Sequence, residues 1–216
     1  MVTYVTNVHG SEQLPVGRVL PVVVLDDPRH ADPLGDALVK GGLTAVEVTL
    51  RTAAGLDAIA ALAARGDLTV GAGTVLTVEQ AERAIGAGAR FVVTPGFAPA
   101  VVRACQQAGV PVVPGAATAT EIQMALDAGL NVVKFFPAQQ LGGAAMIKAL
   151  AAPFRDVRFI PTGGITAAVI ADYLALPAVL AVGASWMVSA DLIAGEQWDE
   201  ITARTREALA AAGGAV

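Results

Sequence analysis

Lys134 stands inside an apolar run, Asn131-Val132-Val133-Lys134-Phe135-Phe136-Pro137, in phase with Val132 and Phe136. Burying an ammonium without a partner is costly, and the usual response is a lowered pKa. A lysine that loses its proton near neutral pH is a nucleophile for carbonyl carbon, so the position predicts Schiff-base chemistry. Lysine is scarce here: Lys40, Lys134 and Lys148 stand against eleven arginines. Lys40 and Lys148 fall in helical stretches, where solvated or snorkelling roles are expected. The bland alternative for Lys134 is a lysine bonded to barrel carboxylates for stability alone.

The segment from Ala45 to Arg51 carries the second anomaly. Val46, Val48 and Leu50 share one face of a strand; Ala45, Glu47, Thr49 and Arg51 share the other. If the apolar face meets helices, Glu47 points inward, and Arg51 lies at or just beyond the strand's C-terminal end. A carboxylate there can move protons, and a guanidinium can hold an anion. The alternative is a buried Glu47–Arg51 ion pair serving structure only.

Glycine-bearing turns supply the remaining candidates. Pro161-Thr162-Gly163-Gly164-Ile165-Thr166 and Val182-Gly183-Ala184-Ser185 each follow an apolar run, where backbone amides and small side chains can approach phosphate oxygens. Gly71-Ala72-Gly73-Thr74 and Thr94-Pro95-Gly96 occupy equivalent places earlier in the chain. Thr74 can donate a hydrogen bond to a carboxylate.

Placing these residues on one rim requires a particular scaffold. Eight apolar runs, Val19–Leu25, Ala45–Leu50, Leu68–Ala72, Phe91–Thr94, Val110–Val113, Asn131–Phe136, Arg158–Pro161 and Val179–Val182, alternate with Ala-rich helical stretches. Their starts are roughly 20 to 27 residues apart, about one βα unit with short loops. Eight such units favour an α/β fold closed as a (β/α)8 TIM barrel, whose active sites sit at the C-terminal ends of the strands. The 216 residues make one such domain, with an extra segment at about 1–18 against the barrel's lower end. Thr77 with Gln80, and Thr118 with Glu121, have capping-box spacing. Gly66, Gly88, Gly109 and Gly129 suit the left-handed position after a helix, and a last helix is expected from about Gln197 to Ala212.

Composition narrows the function. Hydrophobic residues make up 55% and charged residues 15%, which excludes a disordered chain and suits strands buried on both faces. With a net charge of −5 and no basic cluster, nucleic acid is not an expected partner. His9 and His30 are the only histidines and Cys105 the only cysteine, so neither a metal site nor an internal disulfide is expected. The first ten residues lack a basic stretch followed by an apolar one, and Leu174 to Val188 is interrupted by Pro177 and Gly183. These features predict a cytoplasmic protein with no membrane partner.

Taken in order, Glu47-Val48-Thr49-Leu50-Arg51-Thr52, Gly71-Ala72-Gly73-Thr74-Val75, Lys134-Phe135-Phe136-Pro137-Ala138 and Pro161-Thr162-Gly163-Gly164-Ile165 resemble the 2-keto-3-deoxy-6-phosphogluconate aldolase family, which includes 4-hydroxy-2-oxoglutarate aldolases. The resemblance runs from about Val19 through Gly183-Ala184-Ser185-Trp186 to the last helix. It implies a class I aldolase without cofactor, taking a phosphorylated 2-keto-3-deoxy sugar acid and assembling as a homotrimer. By the same resemblance Lys134 is the Schiff-base lysine and Glu47 the general acid/base. Arg51 and Thr74 hold the pyruvate carboxylate, Thr94 and Pro95 line that pocket, and Phe136 packs against the keto acid. Thr162, Gly163, Gly164, Gly183 and Ser185 surround the phosphate. Members often carry Gly-Gly-Ser where this chain has Gly183-Ala184-Ser185, so a methyl at 184 is expected to restrict the backbone or narrow the phosphate pocket. The galactonate-derived relatives share the barrel and the lysine, but Thr49-Leu50-Arg51-Thr52 resembles the gluconate enzyme more. Two other readings remain: a phosphate-binding isomerase or synthase without a covalent lysine, and a non-catalytic barrel that binds a sugar phosphate.

Overall fold

Eight parallel strands alternate with helices in the computed structural model, which describes residues 14 and 16–213. The strands are β1 (Val19–Val23), β2 (Ala45–Thr49), β3 (Thr69–Gly73), β4 (Phe91–Val93), β5 (Val112–Val113), β6 (Val132–Phe135), β7 (Arg158–Pro161) and β8 (Val182–Ala184). The helices are α1 (Ala31–Gly41), α2 (Gly55–Arg65), α3 (Val78–Gly86), α4 (Pro99–Gln107), α5 (Ala119–Asp127), α6 (Gly143–Ala151), α7 (Ala167–Leu174), α8 (Ala190–Ala194) and α9 (Trp198–Ala211). None is long and apolar enough to cross a membrane.

The ring closes in two arcs. One runs β5-β4-β3-β2-β1-β8 and the other β6-β7. Between β5 and β6 the Lys134 amide donates to Pro114 O at 2.8 Å, and Ala116 N donates to Lys134 O at 2.9 Å. Between β7 and β8 only the bridges Phe159↔Val179 and Thr162↔Gly183 remain. The expected eighth strand is therefore displaced: Val179 meets β7, but the ladder to β1 begins at the Val19↔Val182 pair. Stagger between neighbouring strands of a closed sheet, which the apolar pattern does not encode, sets that start. β5 is likewise shorter than its apolar run, lying between Pro111 and Pro114, which lack amide protons.

Side chains divide by the period-2 rule into an inner and an outer layer. Val46 and Val48 of β2, and Val133 and Phe135 of β6, join the layer between barrel and helices. Leu20, Ala45, Phe91, Val93, Val113, Val132, Ile160 and Ala181 fill the lumen towards the N-terminal ends of the strands. Leu14 and Val16 complete this plug; residues 1–13 and 15 of the expected N-terminal segment lie outside the described residues.

Local signals stand where they were expected. Thr77–Gln80 and Thr118–Glu121 form reciprocal capping boxes, and Gly66, Gly88, Gly109 and Gly129 all have positive φ. Cys105 is buried in α4, while Lys40 and Lys148 are exposed on α1 and α6. Helix α9 packs against α1, where Thr202 Oγ1 donates to Ala37 O at 3.1 Å and a Cβ at Gly41 would strike Thr205. Arg65 ties α2 to α1 through Asp36 at 2.7 Å and also holds Asp67 at 2.9 Å. On the β1–α1 connection, Asp27 accepts from Arg29 N and pairs with its guanidinium at 2.6 Å. Those side-chain hydrogen bonds, then the backbone one, bring the Asp27 carboxyl down to about 2.

Candidate active site

Glu47 and Lys134 meet inside the barrel. Their strands, β2 and β6, are four apart in a ring of eight, so both side chains reach across the lumen. Lys134 Nζ donates to Glu47 Oε1 at 2.9 Å, and the two side chains are 7% and 2% exposed. The expected burial and inward direction of Lys134 are both present, but the amine has a partner. The carboxylate offsets the cost of removing the ammonium from water. The alternative Glu47–Arg51 ion pair does not form; Glu47 pairs with Lys134 instead, because Arg51 lies past the end of β2 and is exposed. Below the pair lie Leu14, Val16, Leu20, Phe91, Val93, Val113 and Ile160, an apolar floor that closes off water from that side. An amine and a carboxylate in hydrogen-bond contact can pass a proton directly between them.

Phe136 continues the inward row of β6. Its ring centroid lies 5.6 Å from Lys134 Nζ, within cation–π range. At 40% exposure it is one of the large apolar side chains left open to solvent, here at the mouth. Arg51 faces the same space. Its turn is tied down on both sides: Thr52 Oγ1 donates to Leu25 O of the first unit, and Leu50 N donates to Gly73 O at 2.8 Å. A cavity of about 330 Å³ joins Arg51 and Phe136 to Thr162, Gly163, Gly164, Gly183 and Ser185. Such a volume suits a small metabolite.

The far end of that cavity is built from backbone. Gly163 and Gly164 have φ of 100° and 74°, conformations that ordinary side chains rarely adopt. The Thr162↔Gly183 bridge turns the Gly163 amide towards Gly183, whereas among the described hydrogen bonds the amides of Gly164 and Ile165 donate to no protein acceptor. Consecutive free amides in a glycine turn form a concavity for anions. The turn is held by Ala138 N to Thr162 O at 2.8 Å and Gln139 N to Gly163 O at 3.1 Å. A Cβ on Gly183 would collide with Thr162 Oγ1, so glycine there keeps the two strand ends together. Ala184 borders the cavity but is itself buried, packed with Val182 in the layer facing the helices. The expected narrowing by its methyl is thereby reduced to a backbone effect.

Thr74, Thr94 and Pro95 sit on the same rim, after β3 and β4, but are not among the residues lining that cavity. Thr74 has φ 56°, a left-handed backbone rare for a β-branched residue and common at functional sites. Thr94 is fully buried, and its hydroxyl donates to Gly96 O at 2.6 Å within its own turn.

The model of the family described as "Aldolase: KDPG and KHG aldolase" matches residues 11–204 of the chain. The chain belongs to this family. A 2-dehydro-3-deoxy-phosphogluconate aldolase of Treponema pallidum is 53% identical over 193 residues, covering 89% of this chain and 92% of the relative. The KHG/KDPG aldolase of Escherichia coli is 44% identical, covering 91% and 92%. Among solved structures, the KDPG aldolase of Legionella pneumophila, with pyruvate captured at low pH as a covalent carbinolamine intermediate, superposes with a TM-score of 0.86 at 40% identity, covering 88% and 93%.

Several further residues of this member of the family contribute to the cavity. Val22 and Val24 of the first unit, Trp186, Val188, Ser189 and Ala190 also line the cavity. The alternation of β1 carried a signal for the two valines, since Leu20, Val22 and Val24 share a face. No signal marked Trp186, whose buried indole N–H has no acceptor among the described residues. Gly73, part of a glycine-bearing turn in the sequence, lies against Glu47.

Proposed function

We propose that the chain is a class I aldolase that cleaves 2-keto-3-deoxy-6-phosphogluconate to pyruvate and glyceraldehyde 3-phosphate and also accepts 4-hydroxy-2-oxoglutarate. One observation carries the reading: a buried lysine amine 2.9 Å from a buried carboxylate, next to the Phe136 ring that lines a cavity of metabolite size.

Cleavage of the C3–C4 bond leaves an electron pair on C3 that needs a sink. Nζ of Lys134 gives a proton to Glu47 and attacks the C2 ketone, forming a carbinolamine. Loss of the C2 oxygen as water, with a proton returned by Glu47, leaves a protonated imine. A base, Glu47 directly or through water, takes the C4 hydroxyl proton. The C4–O bond becomes a carbonyl, C3–C4 breaks, and its electrons neutralise the iminium as an enamine. The aldehyde departs. Protonation of C3 restores the iminium as its pyruvyl form, and water releases pyruvate and free Lys134.

Arg51 and Thr74 bind the carboxylate next to the ketone, with Thr94 and Pro95 completing that wall. Phe136 covers the reacting carbons from the mouth. Thr162, Gly163, Gly164, Gly183 and Ser185 receive the phosphate, and its binding far from the cleaved bond orients the substrate. The enzyme works in the cytoplasm as a homotrimer, an assembly checked by light scattering of the purified protein.

Borohydride reduction in the presence of pyruvate tests the reading. A reduced pyruvyl group is expected on the peptide containing Lys134; a label on Lys40 or Lys148 would refute it. Pyruvate release from the gluconate- and galactonate-derived substrates, followed with a coupled dehydrogenase, decides between the two sugar series. Thermal stabilisation by substrate with no pyruvate release would instead favour a binding protein.

A further inference from the structure

We infer that Gly73 is a positioning residue for the reaction, holding open the space in which the Glu47 carboxylate must lie to reach Lys134. The inference rests on the proposed proton-transfer role of Glu47. Strand β3 presents two glycines on the same face, Gly71 and Gly73, and both lie beside β2: Gly71 pairs with Glu47 and Gly73 with Thr49. The Glu47 side chain leans from its own register position towards the mouth and passes over Gly73. A Cβ at 73 would stand 2.6 Å from Glu47 Cγ and 2.8 Å from Cδ, with Oε1 closer still. Oε1 is the oxygen that accepts from Lys134 Nζ.

The two glycines face different obstacles. At Gly71 the obstacle is the ring of Phe91, which is fully buried in the floor of the lumen. A ring packed on all sides cannot swing aside, so a methyl there costs stability. At Gly73 the obstacle is the Glu47 side chain from Cγ outward, an unbranched chain that can turn about its own bonds, and no positive φ forbids an L-residue. A methyl at 73 therefore leaves a folded barrel with a displaced carboxylate.

The test compares wild type, Gly73→Ala, Glu47→Gln, Gly73→Ala/Glu47→Gln and Gly71→Ala. Pyruvate-releasing turnover by wild type with trapping on Lys134 checks the underlying reading separately. Gly73→Ala is expected to unfold cooperatively and lose about 10²-fold in kcat with KM nearly unchanged. The double variant should be no slower than Glu47→Gln, because both changes act through one carboxylate. Gly71→Ala should lower the melting temperature, and any rate loss should multiply with that of Glu47→Gln. A folded Gly73→Ala with wild-type kcat, or a rate loss that multiplies with Glu47→Gln, overturns the inference. A second arm needs no activity: Gly73→Ala made in a Glu47→Ala background should melt no lower than Glu47→Ala alone, whatever loss Gly73→Ala causes in the wild type. Persistence of that loss overturns the inference too.

Discussion

Glu47 and Lys134 are 87 positions apart in the chain, yet their side chains share a 2.9 Å hydrogen bond across the width of the barrel. Neither strand alone can stabilise its polar residue. Each supplies what the other's burial demands, and the contact exists only once the ring has closed.

Replacing Glu47 by Gln should therefore separate binding from turnover. The amide keeps the shape of the carboxylate but cannot take a proton from Nζ. A loss of about 10²- to 10⁴-fold in kcat is expected, with a much smaller change in KM. Equal losses confined to KM would count against the proton-transfer role.

Stability should respond differently from rate. Lys134→Met leaves a buried carboxylate without its partner and should cost about 3–5 kcal/mol in urea unfolding, as well as abolishing trapping. Removing both charges, as in Lys134→Met/Glu47→Leu, should recover most of that loss. A double variant as unstable as the single one would show that the pair is not the source.

The glycine turn after β7 should govern recognition of the distal anion alone. Gly163 has φ 100°, and a Cβ there would lie 3.2 Å from Pro137 and 3.3 Å from the Phe136 ring. Gly163→Ala should raise KM for the phosphorylated substrate by about tenfold, the equivalent of roughly 1.4 kcal/mol. Borohydride trapping with pyruvate, which has no phosphate, should continue. Loss of trapping would place this turn in the wrong part of the site.

Acid stability offers an independent check. The folded-state carboxyl of Asp27 is depressed, so its contribution is present above the unfolded value near 3.8 and lost as pH falls through about 2. Asp27→Asn should accordingly narrow the gap to wild type as pH falls through that window, in thermal melts at low salt. The Asp27 side chain is 28% exposed and Arg29 lies almost entirely in water, so added salt should shrink the difference at every pH.

Tyr173 is buried in α7 with its hydroxyl unpartnered among the described residues. Tyr173→Phe should be neutral or stabilising by about 1 kcal/mol, because it removes a polar group without stranding another. A clear loss in chemical denaturation would reveal a bound water at that hydroxyl.

Lys134 was legible in the sequence because it breaks an apolar run in phase with Val132 and Phe136, and Glu47 because a carboxylate sits in a strand otherwise buried in apolar surroundings. Capping boxes and C-terminal glycines were legible because they depend on spacing along one chain segment. What escaped depended on how segments lie against one another. The start of β8 at Val182 follows from stagger, and Val179 is as apolar as any strand residue. Gly73 matters through the direction of a neighbouring side chain, while Thr94 uses its hydroxyl on Gly96. Ala184 turns towards the helices in phase with Val182, two places before it.

The seam between α1 and α9 places the first and last βα units side by side, with β1 hydrogen-bonded to β8 beneath them. Until the final helix has docked, α1 lacks the surface that covers it and β1 presents an unpaired edge. Assembly of this ring thus depends on contacts between residues far apart along the backbone, a slow kind of search. A half-made barrel would hold its lysine and glutamate on strands that have not yet found their places.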